Sequence, residues 1–110
     1  MIAASEKEMT IIQSILAEHV PECEVWAYGS RVSGSPKTWS DMDMVVVGEQ
    51  PLGFQKLGEL QEAFEESDLP YRADIRDWHT LSSEFQSIIR RRFEVISRTN
   101  MSEKNSEDIS

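Results

Sequence analysis

Cysteine is almost absent from this sequence: Cys23 is the single thiol among 110 residues. One cysteine cannot form an internal disulfide, so nothing in the chain requires an oxidising compartment. Because unpaired cysteines are commonly buried and inert, we expect Cys23 to be a half-buried structural residue. Hydrophobic residues make up 39% of the chain, which is enough for the core of one compact domain.

Long apolar segments are also missing. No stretch approaches the roughly 18 apolar residues of a membrane-spanning helix. The N-terminus lacks the basic start and apolar middle of a signal peptide. The sequence therefore favours a soluble, cytoplasmic protein that does not bind membranes.

Basic residues are scarce, with 11 Lys and Arg against 20 Asp and Glu and a formal net charge of -9. Such a surface repels phosphate backbones, so we do not expect direct binding to nucleic acid. The basic cluster from Arg90 to Arg92 is more typical of a helix C-terminus than of an RNA contact, because cations there offset the helix dipole. A basic protein or a metal-bound small anion is the better partner.

The apolar pattern predicts alternating helices and strands. Helices are expected over residues 5–19, along a stripe from Phe54 to Phe64, and from Asp77 or Thr80 to about residue 91 with Ile88 on its core face. Strands are expected over residues 24–28, 41–47 and 71–75, with room for one helical turn after Ser30, while residues 93–96 fit either a strand or more helix. The predicted fold class is α/β (α+β), a small mixed sheet of three or more strands with helices packed on one face.

The domain is expected to span residues 1–97. Residues 98–110 are polar and acidic with little to bury, and we predict a disordered tail there.

Two aspartates open the predicted second strand. Asp41 and Asp43 are one residue apart, so they point to the same face of the strand, with α-carbons about 6.5 to 7 Å apart. Magnesium prefers hard oxygen ligands and is usually held by one or two carboxylates together with substrate phosphates. The pair is therefore a candidate magnesium site, although an isolated pair of this kind is most often just a solvated strand start.

A candidate phosphate-binding loop precedes these aspartates. Gly29 ends the first predicted strand and allows a ligand to approach the backbone closely. The Ser30 hydroxyl and nearby amide groups can donate to phosphate oxygens, and Arg31 adds a charge-assisted donor. Walker-type and dinucleotide-type glycine loops are absent, and an EF-hand is excluded because Val45 stands where an oxygen ligand is needed.

The predicted third strand supplies another carboxylate. Arg72, Asp74 and Arg76 share one face by alternation. If Asp74 lies beside Asp43, three carboxylates can hold two metal ions about 3.5 to 4 Å apart, and Asp74 can also take a proton from an attacking nucleophile. The two arginines either support an ionised Asp74 and contact phosphates, or are exposed partners of the many acids.

Ser30 and Asp41 are separated by ten residues, which gives the pattern G-S-x10-D-x-D, and Asp74 lies in the later stretch L-P-Y-R-A-D-I-R-D-W. This pattern resembles that of the DNA polymerase β-like nucleotidyltransferases. Over residues 9–96 the chain is similar to the minimal nucleotidyltransferase (MNT) antitoxins of bacteria and archaea. The resemblance implies a small mixed sheet flanked by helices and a reaction that uses ATP with Mg²⁺.

The resemblance also implies roles for residues and a partner. Gly29 and Ser30 match the nucleotide-phosphate loop, Asp41 and Asp43 match metal ligands, and Asp74 matches the third catalytic carboxylate. Many similar proteins are antitoxins of a HEPN-type toxin, which they bind and modify by transferring AMP onto a tyrosine. Arg76 departs from the family pattern, in which a small apolar residue is frequent.

The sequence is compatible with three functions. The first is an MNT antitoxin that transfers AMP from Mg-ATP to a tyrosine hydroxyl of a HEPN-type toxin, because the chain shows no acceptor domain of its own. The second is a non-catalytic nucleotide-binding module that neutralises its partner by binding, suggested by Val45 and Val47, which share the face of the aspartates and need cover. A small-molecule nucleotidyltransferase of the aminoglycoside type is the least favoured.

Overall fold

Strands and helices alternate along the residues that the computed structural model describes, which are 2–34 and 40–98. In chain order the elements are α1 (Glu6–His19), β1 (Glu24–Tyr28), α2 (Ser30–Ser33), β2 (Met42–Val47), α3 (Phe54–Glu65), β3 (Ala73–Asp77), a 3₁₀ helix (Trp78–Thr80), α4 (Ser83–Arg91) and β4 (Glu94–Ser97). The predicted tail from residue 99 onwards lies outside the described residues. None of the helices within the described residues is long and apolar enough to cross a membrane.

The strands form one mixed sheet in the order β3-β2-β1-β4. The inner strand β1 runs antiparallel to both of its neighbours, β2 and β4, whereas the other inner strand, β2, is parallel to β3. The predicted fold class is thus confirmed, and the undecided segment after α4 is a strand that pairs with β1. Parallel pairing of β2 with β3 requires a crossover, and α3 provides it.

Both faces of the sheet carry a hydrophobic core. On one face α1 and α3 cover the larger core, which contains Ile12, Leu16, Val20, Val25, Ala27, Met42, Met44, Val46, Leu60, Phe64, Ala73, Ile75 and Ile96. On the other face α4 and the 3₁₀ helix cover a smaller core of Tyr28, Val45, Trp78 and Ile89. The prediction that the helices pack on one face was wrong, because β2 is apolar on both sides and needs cover on both.

The helix caps explain where the chain turns. Ser5 forms the predicted capping box, since its hydroxyl accepts from the Glu8 amide at 3.1 Å and its own amide donates to the Glu8 carboxylate at 3.0 Å. Ser82, rather than Asp77 or Thr80, caps α4 by accepting from the Phe85 amide at 3.1 Å. Asp77 is buried and caps the 3₁₀ helix instead, where it accepts from the His79 amide at 3.1 Å.

Two residues predicted to face the core are exposed. Phe54 is 94% exposed because it is the first residue of α3, ahead of the turns that contact the sheet, and Ile88 on α4 is 59% exposed. By contrast, Cys23 is more deeply buried than expected, at 5% exposure, and burial raises its thiol pKa to about 11. An inert thiol is the consequence.

Glutamine side chains occupy both edges of the sheet. The Gln61 amide donates to the Ala73 carbonyl at 2.7 Å and accepts from the Ile75 amide at 3.3 Å, so it pairs with β3 much as another strand would. On the opposite edge, the Gln13 amide donates to the Ile96 carbonyl of β4 at 3.2 Å. Satisfied edge groups discourage pairing with other chains.

Candidate active site

Three polar residues form a row across three neighbouring strands. Antiparallel pairing places Tyr28 of β1 opposite Asp43 of β2, and parallel pairing places Asp43 opposite Asp74 of β3. Side chains in register on adjacent strands point to the same face and lie side by side. Asp74 therefore lies beside Asp43, which is the condition on which the predicted carboxylate site depended.

Asp41 stands apart from this row. It precedes β2 and is exposed, whereas Asp43 and Asp74 are partly buried. Within residues 2–34 and 40–98, no three His, Cys, Asp or Glu side chains are grouped closely enough to hold a metal ion. The structure thus pairs Asp43 with Asp74 but does not gather Asp41 with them, and the metal-binding role of all three stays a prediction.

The electrostatics of the row fit a divalent cation. Burial raises the pKa of Asp43 above its ordinary value of 3.8, and the negative charges of Asp74 and then Asp41 raise it further. The Arg76 guanidinium opposes these effects. Carboxylates that repel one another and supply hard oxygen donors are a suitable ligand set for Mg²⁺.

Gly29 brings the backbone of the predicted phosphate loop against Asp43. Its φ is +79°, and a Cβ at this position would overlap the Asp43 carboxylate, with the Cγ atom only 3.1 Å away. Glycine is required here both by the positive φ and by the lack of space. Ser30 follows directly as the first residue of α2. The loop and the carboxylates are therefore immediate neighbours, as the resemblance implied.

Arg31 is held by other parts of the chain. It is 6% exposed, its Nη1 donates to the Ala3 carbonyl at 2.7 Å, and its Nε donates to the Ser40 carbonyl at 2.9 Å. The guanidinium carbon also lies 3.5 Å from the centre of the Tyr71 ring. These contacts fasten the N-terminal segment to the entry of β2. The predicted contact of Arg31 with phosphate stays a prediction, and the structure gives this side chain a structural role that the sequence did not indicate.

Helix α4 forms a wall beside the row. The Phe85 ring meets the Tyr28 ring edge to face, with centres 5.9 Å apart. A cavity of about 350 Å³ opens between the end of β1 and α4, and it is lined by Tyr28, Gly29, Phe85, Ile88, Ile89 and Arg92. Burial and the nearby Asp43 raise the pKa of Tyr28 to about 12, so its hydroxyl stays protonated at neutral pH.

Sequence reasoning missed Tyr28 and Phe85. The available signal was the alternation along β1, which puts Tyr28 next to the glycine loop, but it did not identify the helix that covers this face.

The sequence pattern of the family "Polymerase beta, Nucleotidyltransferase" matches residues 10–102. The chain belongs to this nucleotidyltransferase family. The family assignment made from the G-S-x10-D-x-D pattern is confirmed, and the four-stranded mixed sheet is the corresponding fold.

Among its relatives, this nucleotidyltransferase is 48% identical over 90 residues to the "Probable protein adenylyltransferase MntA" of Haemophilus influenzae. The match covers 82% of this chain and 79% of the relative. The chain is therefore a homologue of a protein adenylyltransferase, which agrees with the enzyme class predicted from the sequence.

Solved structures with the same fold come from toxin–antitoxin systems. One is a toxin–antitoxin with AMP-PNP, with a TM-score of 0.71, 20% identity and coverage of 87% of this chain and 77% of that chain. Another is a tri-AMPylated Shewanella oneidensis HEPN toxin in complex with an MNT antitoxin, with a TM-score of 0.65, 16% identity and coverage of 90% and 76%. At these identities, the two likenesses establish the common fold.

Proposed function

We propose that this nucleotidyltransferase is an MNT antitoxin that transfers AMP from Mg-ATP to a tyrosine hydroxyl of a HEPN-type toxin. The observation that carries the proposal is the register of Asp43 with Asp74 beside the Gly29 loop, in a chain 48% identical to a protein adenylyltransferase. The toxin–antitoxin assemblies with the same fold support the choice of partner.

Each site residue has a role in this reaction. The amides of Gly29 and Ser30 donate to the phosphates of ATP and orient them across the row. Asp41, Asp43 and Asp74 would hold Mg²⁺, which would neutralise charge on the phosphates and on the carboxylates. Asp74 lies on the outer strand of the three and accepts the proton of the attacking hydroxyl.

The partner supplies the acceptor. The net charge of -9 favours association with a basic surface and accelerates encounter with it. Binding then places the acceptor hydroxyl at the carboxylate row. This division of the site between two proteins is consistent with a row that lies at one end of the sheet, where β3 is the edge strand.

The proposal is tested by mass spectrometry of both intact proteins after incubation of this chain with its candidate HEPN toxin, ATP and Mg²⁺. The toxin should gain the mass of one or more AMP groups, located on tyrosine by peptide mapping. The D43N and D74N variants should fold and still bind the toxin but transfer at least about 100-fold less AMP. A toxin whose mass does not change in the presence of the unaltered chain would refute the transfer reaction.

The structure does not support the reason for considering a function by binding alone. Val45 is fully buried (0% exposed) in the core beneath α4, and Val47 packs against the same core, so the face of the aspartates does not need a partner to cover it. The D43N variant still separates the two functions. Full protection of cells from the toxin by D43N would favour binding alone.

A further inference from the structure

Arg76 is a cation beside the carboxylate row. It is in register with Val45, two residues along the strands from the pair of Asp43 and Asp74. Its Nη2 lies 3.5 Å from the Asp74 Oδ2, and its guanidinium carbon lies 5.6 Å from the centre of the Phe85 ring. The side chain is nevertheless 46% exposed, so part of the guanidinium remains accessible to a ligand.

The order of strands indicates the side from which an acceptor approaches. The Gly29 loop follows β1, Asp43 lies on β2 and Asp74 lies on β3, which is the edge of the sheet. If the loop holds the outer phosphates of ATP, as in the proposed function on which this inference rests, pyrophosphate leaves towards β1. In-line displacement at phosphorus requires the entering oxygen to come from the opposite side. The acceptor therefore enters over β3, the strand that carries Arg76.

We propose that Arg76 is an additional acceptor-binding residue of this protein, which donates to the oxygen of the acceptor hydroxyl. The ion pair with Asp74 and the cation–π contact with Phe85 orient the guanidinium. Its accessible N–H groups donate to the incoming oxygen. Charge-assisted donation stabilises the negative charge that develops on this oxygen. The Phe85 ring adds an apolar wall next to the guanidinium, which suits an aromatic acceptor.

The proposed step transfers AMP from ATP to the phenolic oxygen. A bond forms between the phenolic oxygen and the α-phosphorus, and the bond from that phosphorus to the bridging oxygen breaks, so pyrophosphate takes the electron pair. The phenolic proton goes to Asp74. A phenol has a pKa of about 10, far below that of an aliphatic hydroxyl, so negative charge develops more easily on its oxygen, and the Arg76 guanidinium stabilises that charge.

Arg72 provides a matched control. It lies two residues before Asp74, just ahead of β3, and it is exposed. In the described part of the chain its side chain makes no ion pair or ring contact, unlike that of Arg76. Removing Arg72 changes the net charge as much as removing Arg76 does, but it removes no contact with Asp74 or Phe85.

The test compares R76A, R76K and R72A in steady-state AMP transfer to the HEPN toxin, together with calorimetric binding of AMP-PNP and Mg²⁺. We expect R76A to lower kcat/KM for the toxin about 10- to 100-fold, the effect of losing one charge-assisted hydrogen bond. The affinity for AMP-PNP should change less than about 3-fold, since Arg76 is placed on the acceptor side. R76K should recover part of the rate, and the optimum of R76A should move to higher pH, because the phenol loses its cation.

Three outcomes would overturn the inference. In the first, R76A and R72A show the same acceptor kinetics and the same pH profile. In the second, R76A loses affinity for AMP-PNP as strongly as it loses rate, which would make Arg76 a nucleotide-binding residue. In the third, the unaltered chain transfers no AMP to the toxin, and the proposed function fails as well, whereas the first two outcomes overturn the role of Arg76 alone.

Discussion

Asp43 of β2 and Asp74 of β3 face each other in a parallel register, so two carboxylates lie side by side on one face of the sheet. Adjacent like charges disfavour ionisation and weaken the fold. A structural role would be better served by an opposite charge or an apolar pair at these positions. Arg76, two residues further along β3, compensates part of this charge, and the remainder is available for a cation.

The D43N substitution is expected to stabilise the protein at neutral pH. Burial first, and then Asp74, raise the pKa of Asp43 in the folded protein above the ordinary 3.8. An acid with a raised pKa in the folded state destabilises the fold once it ionises, so the penalty is present above the folded pKa and absent below 3.8. Asparagine removes the penalty. The midpoint of thermal unfolding of D43N should exceed that of the unaltered chain at neutral pH, and the gain should shrink as the pH falls.

The D41N variant is the control, because Asp41 is exposed and precedes the strand. It should change the midpoint less than D43N does at every pH. Equal shifts in the two variants would indicate a general effect of net charge rather than the carboxylate pair.

The G29A substitution should destabilise the fold and also displace Asp43 in the candidate active site. Gly29 and Gly53 both have a positive φ, +79° and +86°, and an added Cβ costs about 1 to 2 kcal/mol in such a conformation. At Gly29 the new Cβ also collides with the Asp43 carboxylate, whereas at Gly53 nothing lies within 4 Å. We expect the positive φ to lower the stability of G29A and G53A by a similar amount. The collision with Asp43 should lower the stability of G29A further.

Binding of AMP-PNP separates the two variants. Its affinity should fall about tenfold or more in G29A and stay unchanged in G53A, because Asp43 is displaced in the former alone. Equal affinities measured by calorimetry would contradict the close packing of the loop against Asp43.

The sequence showed which faces carry Asp43 and Asp74, but their adjacency was only a condition of the predicted site. Strand alternation fixes which residues share a face, and the spacing from Ser30 to Asp41 identifies the family. The same alternation placed Arg76 on this face. What alternation cannot supply is the register between distant strands, which depends on how α3 packs and how β2 and β3 align.

The smaller core beneath α4 could not be predicted from the sequence. Val45 and Val47 alternate with Met44 and Val46, so β2 is apolar on both faces, but an apolar run of this length does not say what covers it. Residues 93–96 satisfy a helical and an extended pattern equally, and pairing with β1 decides between them. Phe54 fits the helical stripe of α3 but lies at its first residue, where the sheet no longer reaches it. Tertiary contacts decide each of these cases.

The R31A substitution should lower stability before it lowers nucleotide affinity. Arg31 donates to the carbonyls of Ala3 and Ser40 and lies against the Tyr71 ring. Loss of a buried, charged donor with such contacts should reduce the free energy of unfolding by about 2 to 3 kcal/mol. R31K should recover little, because an ammonium group cannot donate to both carbonyls in the same planar arrangement.

Denaturant unfolding and AMP-PNP calorimetry measure the two effects separately. A phosphate contact, as predicted from the sequence, would instead give a variant of unchanged stability with weaker binding of AMP-PNP. The outcome assigns Arg31 either to the structure or to the site.

The Q61L substitution should open the edge of the sheet that carries Asp74. Gln61 satisfies the Ala73 carbonyl and the Ile75 amide of β3, and leucine removes both hydrogen bonds. We expect a loss of about 1 to 2 kcal/mol in the free energy of unfolding. We also expect concentration-dependent association, since exposed edge strands pair with one another.

The Q55L variant tests whether this effect belongs to the strand edge. Gln55 is exposed on the same helix and its amide bonds to Glu59 at 3.5 Å, away from the sheet. Sedimentation velocity should therefore show association for Q61L and a monomer for Q55L at equal concentration. Because pairing at β3 would cover Asp74 and Arg76, AMP transfer by Q61L should fall as its concentration rises. A monomeric Q61L with unaltered stability would show that Gln61 does not protect this edge.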